Sequence, residues 1–84
     1  MDRAEMRSKI IDVIKTNIVK NIDDIKKEDI DVAKSMKDYG ANSLDIIEVV
    51  SCSMRELNLK IPRTELSNIQ TIDGLVNKFL EHMK

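Results

Sequence analysis

Asp38-Tyr39-Gly40-Ala41-Asn42-Ser43-Leu44-Asp45-Ile46-Ile47-Glu48-Val49-Val50 is the stretch that decides how this chain folds. A glycine turn leads into Asn42, a residue suited to cap a helix, and Asp45 three residues on completes a variant of the capping box. Ser43 therefore takes the first helical position. A helix start exposes unpaired backbone N–H groups and the positive end of the macrodipole, which suits a phosphate. Ser43 offers a hydroxyl there with no base beside it in the sequence. The pattern points to a serine that is modified rather than one that attacks.

The helix that follows runs from about Ser43 to Leu57. Turned at about 100° per residue, it shows two apolar stripes instead of one. Ile46, Val49, Val50, Ser53 and Leu57 share one face, and Leu44, Ile47, Ser51 and Met54 an adjacent one. In a domain this small both stripes are hard to bury, so one of them is expected to present surplus apolar surface to a partner.

Upstream, Met6, Ile10, Val13, Ile14 and Ile18 keep helical spacing, predicting a first helix over about Arg3 to Ile18. Asn17 to Gly40 contains no long helix. A connection of that length needs anchors, and Ile22, Ile25, Ile30, Val32, Met36 and Tyr39 are spaced to supply them, with one short turn near Ile22 to Ile25. Downstream, Ile61-Pro62 forces an extended approach to a short turn over Arg63 to Ser67 with Leu66 inward. Thr71 then caps a last helix whose stripe is Ile72, Leu75, Val76, Phe79, Leu80 and Met83. The expected fold is all-α: one domain over residues 1–84, a small antiparallel four-helix bundle of three main helices and one short one, with a long first loop.

Composition limits the function classes. The chain has 84 residues, 42% hydrophobic and 35% charged, which is normal for a globular domain near the lower size limit for a self-sufficient core. Tyr39 and Phe79 are the only aromatic residues, so that core must be aliphatic. A net charge of −1 argues against nucleic-acid binding. Lys and Arg are frequent from Arg3 to Lys37 and sparse from Asp38 to Leu59, leaving an acidic, apolar middle that a basic partner surface could recognise. Cys52 and His82 are single residues of their kinds, which leaves no internal disulfide, no zinc set and no credible Cys–His pair. No apolar run approaches membrane-spanning length, and the charged start of the chain does not read as a signal peptide. A cytoplasmic monomer with no membrane partner is the expectation.

Beyond these features, the whole chain resembles the acyl carrier proteins of fatty-acid and polyketide synthesis. Tyr39-Gly40-Ala41-Asn42-Ser43-Leu44-Asp45 matches the family pattern hydrophobic-Gly-Ala-Asp-Ser-Leu-Asp. The likeness continues through Glu48-Val49-Val50, Ile61-Pro62 and Thr71-Ile72, and covers roughly residues 5 to 83. It implies that Ser43 receives 4′-phosphopantetheine from coenzyme A through a phosphopantetheinyl transferase, and that the arm's thiol carries acyl groups between enzymes. It also implies that Leu44, Asp45, Ile47 and Glu48 form a recognition helix for partners such as the transferase, a ketosynthase and an acyltransferase; Asn42 beside the serine, and Ser51 and Met54 on the same stripe as Leu44, are expected to join them.

The chain departs from the family pattern in three places. Asn42 replaces the usual aspartate, keeping the cap and losing a charge. Met54 and Arg55 stand where carriers of primary fatty-acid synthesis are acidic. These departures favour a stand-alone carrier of polyketide biosynthesis over a general fatty-acid carrier. A peptidyl carrier would resemble Gly-Gly-(His/Asp)-Ser-Leu instead. Without the resemblance, Ser43 would be an ordinary first-turn serine, and the alternative class is a helical interaction module that docks a partner through Leu44, Ile47 and Met54 and carries nothing. No triad, metal set or glycine-rich phosphate loop supports an enzyme.

Overall fold

A computed structural model describes residues 2–83, which form four α-helices and two short 3₁₀ turns, with no strand among the described residues. The helices are α1 (Arg3–Asn21), α2 (Ser43–Glu56), α3 (Arg63–Leu66) and α4 (Ile72–His82), and the 3₁₀ turns occupy Lys27–Asp29 and Met36–Tyr39 in the first connection. The all-α architecture expected from the sequence is present.

α1 makes the principal helix–helix contacts, packing against both α2 and α4. Ile10, Ile14 and Ile18 of α1 are fully buried against Val49 of α2 and Ile72, Leu75, Val76, Phe79 and Leu80 of α4. Five consecutive stripe positions of α4 thus lie in the core, each side chain contributing about 1.5–3 kcal/mol on burial. Met83, the sixth, is half-buried. One polar pair interrupts this aliphatic interior: Asn17 and Ser53 are 2% and 0% exposed, and Asn17 Nδ2 donates to Ser53 Oγ at 3.0 Å and to the Val13 carbonyl at 3.1 Å. Ser53 falls on the inward stripe of α2 as its spacing predicts, whereas Asn17 lies outside the stripe expected for α1.

α1 continues one turn past the expected stop at Ile18. Val19 packs against the core, the Asn21 side chain donates to the Asn17 carbonyl at 2.8 Å, and Ile22 supplies the terminal backbone hydrogen bond to Ile18. The connection to α2 is anchored as its apolar spacing requires. Ile30 and Met36 are buried, while Ile22, Ile25, Val32 and Tyr39 pack half-buried on the core. A turn follows Ile22, with Asp24 in the left-handed region. Polar bonds add to this anchoring: the Asp31 N–H donates to the Tyr39 hydroxyl at 2.6 Å, and the Ile72 and Asp73 N–H groups donate to the Lys34 and Val32 carbonyls. The loop thereby satisfies donors that the first turn of α4 leaves free. Arg7 closes the other side by pairing with Asp73 and Asn77 across α1 and α4.

Candidate functional site

The second 3₁₀ turn delivers the chain to the start of α2. Ser35 and Asp38 form a capping box at its head, and Gly40 ends it at φ 90°, a backbone conformation that favours glycine. The Gly40 and Ala41 N–H groups donate to the Lys37 and Met36 carbonyls, which reverses the chain and buries Ala41. Asn42 follows in extended geometry and caps α2. Its Oδ1 accepts from the Asp45 N–H at 2.9 Å, and Asp45 Oδ2 accepts from the Asn42 N–H at 3.1 Å. Both halves of the box read from the sequence are formed.

Ser43 is the first residue of α2 and is exposed, and its hydroxyl makes no hydrogen bond among the described residues. The Asp45 carboxylate is drawn back to the Asn42 backbone, and no base among the described residues contacts the hydroxyl. An exposed serine on the positive end of a helix, with its oxygen uncommitted, is accessible to an incoming phosphoryl group.

The adjacent face of α2 is uncovered as the two-stripe pattern predicts. Leu44 is 76% and Ile47 44% exposed, the two large hydrophobic residues left open to solvent among the described residues. Ser51 and Glu48 are exposed beside them. Glu48 Oε1 accepts from the Cys52 thiol at 3.4 Å, and this carboxylate pushes the Cys52 thiol above its ordinary value. Met54 differs from its neighbours on the stripe: it is half-buried and packs against the core.

The reason for Met54's position is a cleft of about 790 Å³ between α2, α3, α4 and the Met36 turn. Ile46, Ile47, Val50, Ser51 and Met54 form its α2 wall, Leu66 lies on α3, and Ile72 and Leu75 belong to α4. Residues three and four apart share a helix face, so Ser43 stands one turn before Ile46 and Ile47, at the end of that wall. Sequence reasoning did not find this cleft. Ile46 and Val50 read as core residues and are half-buried, because α3 and its flanking loops stand off from α2 and leave them one open side. Among the described residues no helix is long and apolar enough to cross a membrane, and no group of three or more His, Cys, Asp or Glu could hold a metal ion.

Residues 16–79, more than half of the chain, match the family described as "Phosphopantetheine attachment site". An "Acyl carrier protein" from Chlorobium luteolum is 35% identical over 82 residues, spanning 93% of this chain and 100% of the relative. Another from Chlorobium phaeovibrioides is 34% identical over the same shares. The "Polyketide biosynthesis acyl-carrier-protein AcpK" of Bacillus subtilis is 30% identical over 69 residues, spanning 82% of this chain and 84% of the relative. No solved structure matches the chain significantly. A family match over most of the chain and relatives covered from end to end show that the chain belongs to the acyl carrier protein family, non-catalytic proteins that carry acyl groups on a covalently attached 4′-phosphopantetheine.

Proposed function

We propose that Ser43 is the residue that bears the phosphopantetheine, and that this carrier serves polyketide biosynthesis. The observation that supports the attachment is the uncommitted, exposed Ser43 hydroxyl at the first turn of a capped helix. Attachment forms a bond from Ser43 Oγ to phosphorus as the pyrophosphate bond of coenzyme A breaks. The nucleotide half leaves, and the hydroxyl proton passes to the phosphopantetheinyl transferase, since this chain places no base there. Once attached, the arm supplies a terminal thiol that holds acyl groups as thioesters.

The chain's own residues do the remaining work. Asn42 and Asp45 fix the orientation of the first turn of α2 through their reciprocal hydrogen bonds, and so set the direction in which Ser43 points. Leu44 and Ile47 offer an apolar patch for a partner enzyme, with Glu48 and Ser51 at its polar edge. The single carrier domain then presents its cargo to a ketosynthase or an acyltransferase. The wall of Ile46, Val50 and Met54 gives the apolar part of a carried chain a site away from water.

The polyketide assignment is supported by Met54 and Arg55. A methionine that lines the cleft and an exposed arginine one residue on replace acids of general fatty-acid carriers, and a partner evolved for two carboxylates there would meet an apolar group and a cation. The Bacillus subtilis relative carries a polyketide name. A second reading, general acyl carriage in fatty-acid synthesis, is favoured by the Chlorobium relatives, which match over their full length and are named acyl carrier protein without a pathway. Acyl transfer from the loaded protein to a polyketide ketosynthase and to a fatty-acid ketosynthase, compared side by side, tests the choice. Faster transfer to the polyketide enzyme is expected, and faster transfer to the fatty-acid enzyme would establish the second reading.

A further inference from the structure

We infer that the cleft between α2, α3 and α4 accepts an acyl group ending in a carboxylate, with Lys37 and Arg63 as the counter-charges for that end. The inference rests on Ser43 as the attachment residue and specifies what the arm carries.

Among the described residues, the cleft lining includes two ionisable side chains, Lys37 and Arg63, and no Asp or Glu. The chain as a whole has 14 Lys and Arg against 15 Asp and Glu, so a groove bearing only cations does not follow from composition. The carboxylates nearest in sequence to Lys37, Ser43 and Arg63 are each committed elsewhere. Asp38 accepts from the Ser35 N–H at 2.9 Å, Asp45 from the Asn42 N–H at 3.1 Å, and Glu65 faces His82 at 3.2 Å and Lys78 at 3.9 Å. Lys37 and Arg63 form no ion pair among the described residues, and both are exposed. The cleft thus pairs apolar walls with two unneutralised cations supplied by different segments, the Met36–Tyr39 turn and α3.

An alkyl chain would use the walls and gain nothing from the cations. A chain with a methylene body and a carboxylate head uses both, and the guanidinium of Arg63 suits a carboxylate in particular. The volume is in the range that takes a small organic ligand. The phosphodiester at Ser43 is the other anion within this region, and it is identical whatever the cargo, so two cargoes of equal length separate the two sources of negative charge.

The test loads the full chain with adipyl or hexanoyl phosphopantetheine from the corresponding coenzyme A thioesters and a broad-specificity transferase, and confirms loading by intact mass. Cleavage of each thioester by hydroxylamine is then followed at low salt for the wild type, Lys37→Gln, Arg63→Gln and the double variant. In the double variant the adipyl thioester is expected to be cleaved about two- to fivefold faster than in the wild type, the scale of exposed ion pairs. The hexanoyl rate is expected to stay unchanged. Lys37→Arg with Arg63→Lys is expected to retain the adipyl protection, which excludes a general loss of structure as the cause. Equal changes in both thioesters, or none in either, would overturn the carboxylate assignment while leaving Ser43 as the attachment residue. Failure of the wild type to gain mass would overturn the attachment itself.

Discussion

Replacing Asn42 or Ser43 by alanine separates two adjacent polar residues that do different things. Asn42 Oδ1 satisfies the Asp45 N–H at 2.9 Å, and Asn42→Ala removes that acceptor while leaving the backbone half of the capping box, in which Asp45 still accepts from residue 42. Losing an N-cap side chain costs about 0.5–2 kcal/mol. For a domain of this size each kcal/mol shifts the midpoint by roughly 4–8 °C, so Asn42→Ala is expected to lower Tm by several degrees. Ser43 is exposed, its hydroxyl has no partner among the described residues, and alanine is the better helix former. Ser43→Ala is therefore expected to stay within about 0.5 kcal/mol of the wild type. Thermal and urea unfolding of the unmodified proteins, followed by circular dichroism, measures both. A large loss with Ser43→Ala and none with Asn42→Ala would show that Ser43 is the cap, and that its hydroxyl is engaged rather than free for modification.

Leu80→Ala should destabilise by about 2–5 kcal/mol in the same assay, because Leu80 is 4% exposed within the α4 stripe and truncation leaves a cavity. Glu48→Gln should speed alkylation of Cys52 near neutral pH. The Glu48 carboxylate holds the thiol protonated, and removing its charge lowers the thiol pKa and raises the reactive thiolate fraction; an unchanged rate would show that the contact does not act. Ile47→Ala should weaken productive encounter with a partner enzyme by a loss that added salt does not alter, whereas Glu48→Lys should slow association in a salt-sensitive way. Stopped-flow transfer kinetics at two ionic strengths distinguish the two.

Much of the fold was legible because its signals are local. The Asn42–Asp45 capping box, the Thr71 cap and the 3-4 spacing of α4 each depend on residues within one or two turns, and each is present as read. That α2 leaves apolar surface open at Leu44 and Ile47 also followed from periodicity, since a helix with excess apolar width in a small domain runs out of partners, although Met54 on the same stripe packs half-buried on the core. What the sequence hid depends on distant contacts or on motifs without apolar periodicity. Past Ile18, α1 carries Val19, Lys20 and Asn21, which lie off the expected stripe, and its end is held by Val19 against the core and an Asn21 bond to the Asn17 carbonyl. Ser35 and Asp38 form a capping box at Ser-x-x-Asp spacing, but the turn they head is too short to show a stripe that would mark it. The end of α2 is sealed by the Leu59 and Asn58 N–H groups donating to Met54 and Arg55, with Asn58 at φ 56°, a role that asparagine fills but does not announce. The buried Asn17–Ser53 pair joins residues 36 positions apart. The cleft was invisible for the same reason. Its walls come from three helices and a loop, and nothing in the local pattern of Lys37 or Arg63 places them on one groove.

The carrier function proposed for this chain turns on Ser43. Incubation of the full chain with coenzyme A and a broad-specificity phosphopantetheinyl transferase, followed by intact-mass measurement and fragment mapping, tests it most directly. One phosphopantetheine on Ser43 of the wild type, and none on a folded Ser43→Ala variant, is the result predicted. Modification mapped to Ser51, Ser53 or Ser67, or continued modification of Ser43→Ala, would contradict it.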